Sequence, residues 1–219
     1  MRKVLFVGLI SVFAVMLFTG CDNACLAFFK AYTEQNRINI PEEMTGTFKL
    51  PIPEERASED DFFVTITLSP DENGNGLLEY TQKITKDGKE KKMSSTHEVV
   101  FFKINDRLFA DMTLIDIKSV SFEGGEFPWL AVVQFTPVHT IVMIVPTEDG
   151  FEVYNPGMSD VADLAKKNSA DLPYVKEDNY ICIASGEQWH AFLEKYADEL
   201  FESRGRGWDV SFQRVQDAE

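Results

Sequence analysis

Apolar side chains recur at every second position through most of the chain. Met44, Gly46, Phe48 and Leu50 alternate with Thr45, Thr47 and Lys49; Phe62, Val64, Ile66 and Leu68 oppose Thr65, Thr67 and Ser69; Leu78, Tyr80, Gln82 and Ile84 repeat the rhythm. A period of two is that of a strand with one buried face. Pro51 and Pro53 stop the first run, and residues 54–61 read as an acidic loop. Residues 70–76 and the Asp87-Gly88 pair supply turns. Further strands are expected over about 97–104 and 108–114, joined at Asn105-Asp106, with residues 119–128 as a loop. The densest apolar stretch, 129–145, is broken by Pro137 and rich in β-branched residues, so it reads as two strands and not as one buried helix. Residues 151–154, 180–184 and 208–212 complete the strand pattern.

The period changes after Asn155-Pro156-Gly157. Met158, Val161, Leu164 and Ala165 recur at helical spacing, which predicts a helix over about 160–167 with Ser159 as its N-cap. Ser185-Gly186-Glu187-Gln188 is a capping box, and Trp189, Phe192, Leu193, Tyr196 and Leu200 behind it form one apolar stripe that reads as core packing. Strands in series followed by two late helices imply an α+β, mainly β fold: an antiparallel sheet or partly closed barrel with two helices near the C-terminus.

The first residues have a different character. Arg2 and Lys3 precede an almost wholly apolar run from Val4 to Phe18, which closes on Phe18-Thr19-Gly20-Cys21. That order of charge, apolar core and small residue is an export signal. Its end resembles a lipobox, the site at which bacteria acylate a cysteine and cleave before it, although Phe18 stands where Leu is most usual. The resemblance implies a signal peptide over 1–20, a lipid on Cys21, a tether or short helix over 21–43, and one globular domain over 44–219. An uncleaved anchor and ordinary secretion remain as alternatives, and each of the three places the domain outside the cytoplasm. Asp22 resembles the inner-membrane retention residue of enteric lipoproteins. Residues 136–201, with Pro137-Val138-His139-Thr140, the turn at Glu148-Asp149-Gly150 and the capped helix, resemble an arrangement in uncharacterised bacterial lipoproteins. That family implies an envelope location and a β-rich fold, and it lends no catalytic residues.

Charge narrows the partners. The 219 residues carry a formal charge of −15, so attraction of nucleic acid or anionic lipid through a basic patch is disfavoured. An oxidising envelope permits a disulfide between Cys25 and Cys182, with the plainer reading that Cys182 packs as a small hydrophobe in Tyr180-Ile181-Cys182-Ile183.

The sharpest local motif is Asp71-Glu72-Asn73-Gly74-Asn75-Gly76, which matches the opening of a calcium loop. Oxygens of Asp71, Asn73, Asn75 and Glu79 are the candidate ligands. Gln82 stands where the closing bidentate carboxylate belongs, so an ordinary hairpin loop is the stronger reading. Calcium is the one cofactor in view. His97, His139 and His190 have no nucleophile relay legible around them, and no G-x-S-x-G, H-E-x-x-H or Gly-rich phosphate cradle occurs. What remains is a membrane-anchored envelope lipoprotein whose domain binds a protein or small-molecule partner without catalysis. An envelope hydrolase with a site assembled from distant residues, or a structural lipoprotein, is the alternative.

Overall fold

The computed structural model describes residues 26–27, 29–51, 61–86, 89–122, 125–126, 139–176, 180–202 and 208–215. Its strands are β1 (Leu26–Ala27), β2 (Arg37–Ile38), β3 (Gly46–Lys49), β4 (Asp61–Pro70), β5 (Gly76–Lys86), β6 (Lys89–Ile104), β7 (Arg107–Phe122), β8 (Gly125–Glu126), β9 (His139–Thr147), β10 (Gly150–Asn155), β11 (Tyr174–Lys176), β12 (Tyr180–Cys182) and β13 (Trp208–Arg214). Two helices, α1 (Met158–Lys167) and α2 (Gly186–Glu202), fall in the C-terminal third.

Eight strands close on themselves in the order β9-β10-β13-β3-β4-β5-β6-β7, all neighbours antiparallel, and β7 returns to β9 through six pairs from Leu108↔Ile144 to Thr113↔His139. The closed barrel is thus the form the α+β, mainly β pattern takes. β9 has two partners along its other edge. Met143–Thr147 pair with β10, while His139 and Thr140 pair with β1. From β1 the sheet runs outward through β12, which it meets in parallel at Ala27↔Cys182, to β11.

Alternation along these strands builds two cores. Phe48, Ile66, Leu78, Phe101, Val142 and Phe212 turn into the barrel. Their immediate neighbours Phe102, Ile141 and Met143, and Phe109 between the inward Leu108 and Ala110, turn outward beneath α1 and α2, against Trp189, Phe192 and Leu193. A strand covered on both faces reads as a continuous apolar run, which is why β9 lacks alternation in the sequence. Met44, in the 3-10 turn Glu42–Met44, is fully buried and closes one end of the barrel core. At Gly150 the β10 and β13 backbones approach so closely that a Cβ would stand 2.0 Å from the Phe212 carbonyl oxygen.

Several boundaries move. β6 begins at Lys89, well before the expected start near His97; residues 89–96 hold a single apolar side chain, Met93, and so show no apolar alternation in the sequence. β7 likewise runs on to Phe122, and β8 folds back on it, so much of the expected loop over 119–128 is strand. α1 starts at Met158 with Gly157 as its N-cap, the Gly157 carbonyl accepting from the Val161 amide at 3.0 Å; Ser159 is already inside the first turn. The stretch read as a tether or helix is part of the folded body from Leu26 onward: Ala27 and Ala31 are fully buried, and β2 pairs with β6. The first of the two strands expected within 129–145 lies outside the described residues, as does the segment 1–25.

Candidate functional site

Three places gather chemistry. The first lies on the outside of the barrel at the seam between β7 and β9. Ala110 faces the core, so Asp111 next to it faces outward, where the chain between β1 and β2 covers it to 2% exposure. Its Oδ2 accepts from the Ala31 amide at 2.8 Å, and its Oδ1 lies 2.7 Å from Nδ1 of His139. A carboxylate only accepts, so His139 donates from Nδ1. Thr113 Oγ1 stands 3.2 Å from the same Nδ1. Thr113 pairs with His139, and Asp111, two residues back along β7, pairs with Ile141, so the three side chains share the outer face of the sheet. Tyr32, close by, has its phenol pushed up by burial and then by the charges of Asp111 and Glu98. The arrangement resembles the orienting half of a relay, but the hydroxyl present approaches Nδ1 and not Nε2. Its evident work is to pin the entering chain to the barrel.

The second is a polar layer inside the barrel. Leu78↔His97 and Tyr80↔Ser95 are paired residues of β5 and β6, so all four side chains share the inner face. Ser95 Oγ lies 3.0 Å from His97 Nε2, and the Tyr80 hydroxyl donates to Gln82 Oε1 at 3.1 Å. Burial pushes the His97 imidazole down to about 4 and pushes the Tyr80 phenol up, so both are neutral at pH 7. Ser95 and His97 are 2% and 3% exposed, which denies a substrate the approach that a serine nucleophile requires. Below this layer the apolar core leaves a cavity of only about 20 Å³.

The third is an open groove of about 400 Å³ at the end of the barrel that Met44 closes. Ile38, Leu108, Met143, Ile144 and Val145 give it an apolar floor, and Glu43, Lys103, Asp106 and Arg107 carry mixed charge around it. Arg107 also forms an ion pair with Asp198 of α2.

The residues singled out in the sequence are distributed differently. In the Asp71 loop, Asp71 Oδ1 accepts from the Asn73 and Asn75 amides, each at 2.8 Å, which is an ordinary turn device. Asn75 Oδ1 accepts from Arg37 Nη2 at 2.7 Å, the Asn73 carbonyl accepts from the same nitrogen at 3.2 Å, and Asn75 Nδ2 donates to Glu98 at 3.1 Å. The Arg37 guanidinium therefore holds one of the side-chain oxygens proposed for calcium, that of Asn75, while Glu79 lies along β5 opposite Thr67 and Thr96. No group of three or more His, Cys, Asp or Glu suited to a metal occurs among the described residues. Cys182 is buried, its thiol donates to the Pro173 carbonyl at 3.4 Å, and burial pushes it up to about 11, which leaves it a poor nucleophile. Cys25, its suggested partner, and Cys21 lie outside the described residues. His190 Nδ1 meets Asn36 Nδ2 at 3.0 Å on the surface of α2.

Sequence reasoning passed over Asp111 because its partners are brought together only by the β7–β9 pairing. Ser95-Thr96-His97 carried a local signal: two residues apart on a strand share a face. Comparison of the chain with family models, with curated proteins and with solved structures gave no match.

Proposed function

We propose that the chain is a lipid-anchored protein of the bacterial envelope, and that its barrel is a binding domain which engages its partner on the outside. The observation that carries this reading is the contrast between the filled apolar core, with about 20 Å³ to spare, and the open groove of about 400 Å³. Ligand pockets for small molecules commonly occupy about 300–1,000 Å³, which the groove reaches and the cavity does not. The apolar floor with cations and anions on its rim suits a short amphipathic segment. Support for the anchor comes from the export signal and Cys21. No helix among the described residues is long and apolar enough to cross a membrane. Binding is preferred to hydrolysis because the contact between Ser95 and His97 is sealed inside the barrel.

Native mass spectrometry of the mature chain, extracted from its own membrane in mild detergent, tests both parts. Acylation adds the mass of the lipid, and Cys21→Ala removes it. A non-covalent adduct lost in a Lys103→Glu, Pro146→Asp double variant supports the groove. An adduct that survives the double variant, or a bare monomer from the parent chain, overturns it.

A further inference from the structure

The hairpin of β5 and β6 outruns the barrel at one end. β6 pairs with β5 from Lys86↔Lys89 to Gly76↔Val99, but with β7 only from Met93↔Val120 onward. Among the described residues, Lys89–Lys92 therefore have a neighbouring strand on one side alone. Four residues of strand carry this stretch about 14 Å past Met93. β5 starts at the groove end, where the Ile40 amide donates to the Gly74 carbonyl at 3.0 Å, so Lys86 and the open stretch lie at the opposite end. Residues of an antiparallel ladder bond alternately to one side and to the other. Every second residue of Lys89–Lys92 thus turns its N–H and C=O to the open side.

Charge reverses over the same stretch. Residues 83–92 hold five lysines against Asp87 and Glu90, a net charge of +3 in a chain of −15. Lys83 stands directly opposite Lys92, and Lys86 directly opposite Lys89. Like charges directly across an antiparallel pair are destabilising, so the hairpin holds two unfavourable pairs that an anionic neighbour would relieve. Lysine on an open edge also guards it against pairing with the edge of a second copy. The same charge selects for a strand of opposite sign. The chain's own acids at 54–60 lead into β4 at Asp61, which pairs with Thr85 on the far side of β5. That entry is two strands, about 10 Å, from the open edge. We propose that Lys89–Lys92 is a docking edge for an extended acidic segment of a partner protein, which adds to β6 as a further strand. Main-chain bonds along the edge hold such a segment, and the lysines choose it by charge. The edge is separate from the groove, and it does not depend on the lipid at Cys21.

The test is the fluorescence anisotropy of a labelled peptide, in which Glu alternates with Thr, titrated with the full chain in non-ionic detergent. It is expected to bind at least tenfold more tightly than its Gln-for-Glu counterpart. The same margin is expected over a copy N-methylated at alternate residues, which keeps the charge and cannot pair as a strand. Lys89→Glu with Lys92→Glu sets opposite charges across both pairs, so this variant is expected to melt about 2 °C higher while binding falls at least tenfold. A rise in stability with loss of binding separates lost docking from lost folding. No binding by the parent chain, or unchanged binding by the double variant, overturns the edge. Equal binding of the N-methylated peptide, or of an oligonucleotide of the same charge, overturns strand addition. Binding that appears only with Glu54→Gln, Glu55→Gln, Glu59→Gln and Asp60→Asn also overturns it, the chain's own acids then being the occupant. Self-association of the parent chain that the double variant abolishes overturns it in favour of a second copy.

Discussion

His97 has to be uncharged to sit where it does. Its folded value of about 4 is below the ordinary 6.5, so between these values the unfolded chain holds a proton that the folded chain lacks. Stability is therefore full above about pH 6.5 and falls as pH drops toward 4, by up to about 3 kcal/mol. Urea melts at pH 7.5 and 4.5 are expected to show this loss, and His97→Gln to flatten it. Asp111 is the second sensitive residue. Asp111→Ala strands the buried Ala31 amide and is expected to cost about 2–3 kcal/mol, with faster hydrogen exchange at that amide. Each histidine could be read as a strand or helix residue, and each proved to be hydrogen-bonded. The partners of His139 and His190, at Asp111 and Asn36, are 28 and 154 residues away, and no local pattern encodes such a meeting. The loop at Asp71 shows the converse: the spacing was fully legible, but Arg37, which takes up the Asn75 side-chain oxygen and the Asn73 carbonyl, enters from β2.

At the scale of elements, legibility follows how many faces are covered. β4 and β5 have one apolar face and announced themselves by alternation. The first half of β6 has none, and β1 and β2, two residues each, exist because β10 and β5 leave free edge on β9 and β6. Their sequences hold no signal of their own. The capping box of α2 was readable because both bonds are local: the Gln188 amide donates to Ser185 Oγ at 3.3 Å, and the Ser185 amide to Gln188 Oε1 at 2.9 Å. Gln188 also donates to Asp171 at 3.0 Å, which ties the helix start to the preceding loop. Replacing Ser185 with Ala is expected to destabilise by about 1 kcal/mol, and the Ser185→Ala, Gln188→Ala pair by somewhat more. Thermal melts followed by circular dichroism at 222 nm would check this, the helix start responding before the barrel.

For the molecule as a whole, the sequence showed strands and late helices but could not choose between open sheet and barrel. That choice is made by two long-range pairings, β7 with β9 and β13 with β3. The second joins Lys49 to Gln213, nearly the two ends of the described chain. Contacts so distant in sequence form late, because their loop-closure entropy is met only after the intervening strands are in place. A chain still being synthesised and lacking Trp208–Arg214 leaves β3 and β10 as open edges. A chain ending at residue 207 is expected to remain soluble only with a chaperone and to aggregate after release, as light scattering would record. β13 acts as a timer, holding the barrel open until Trp208–Arg214 has been made and closing it then.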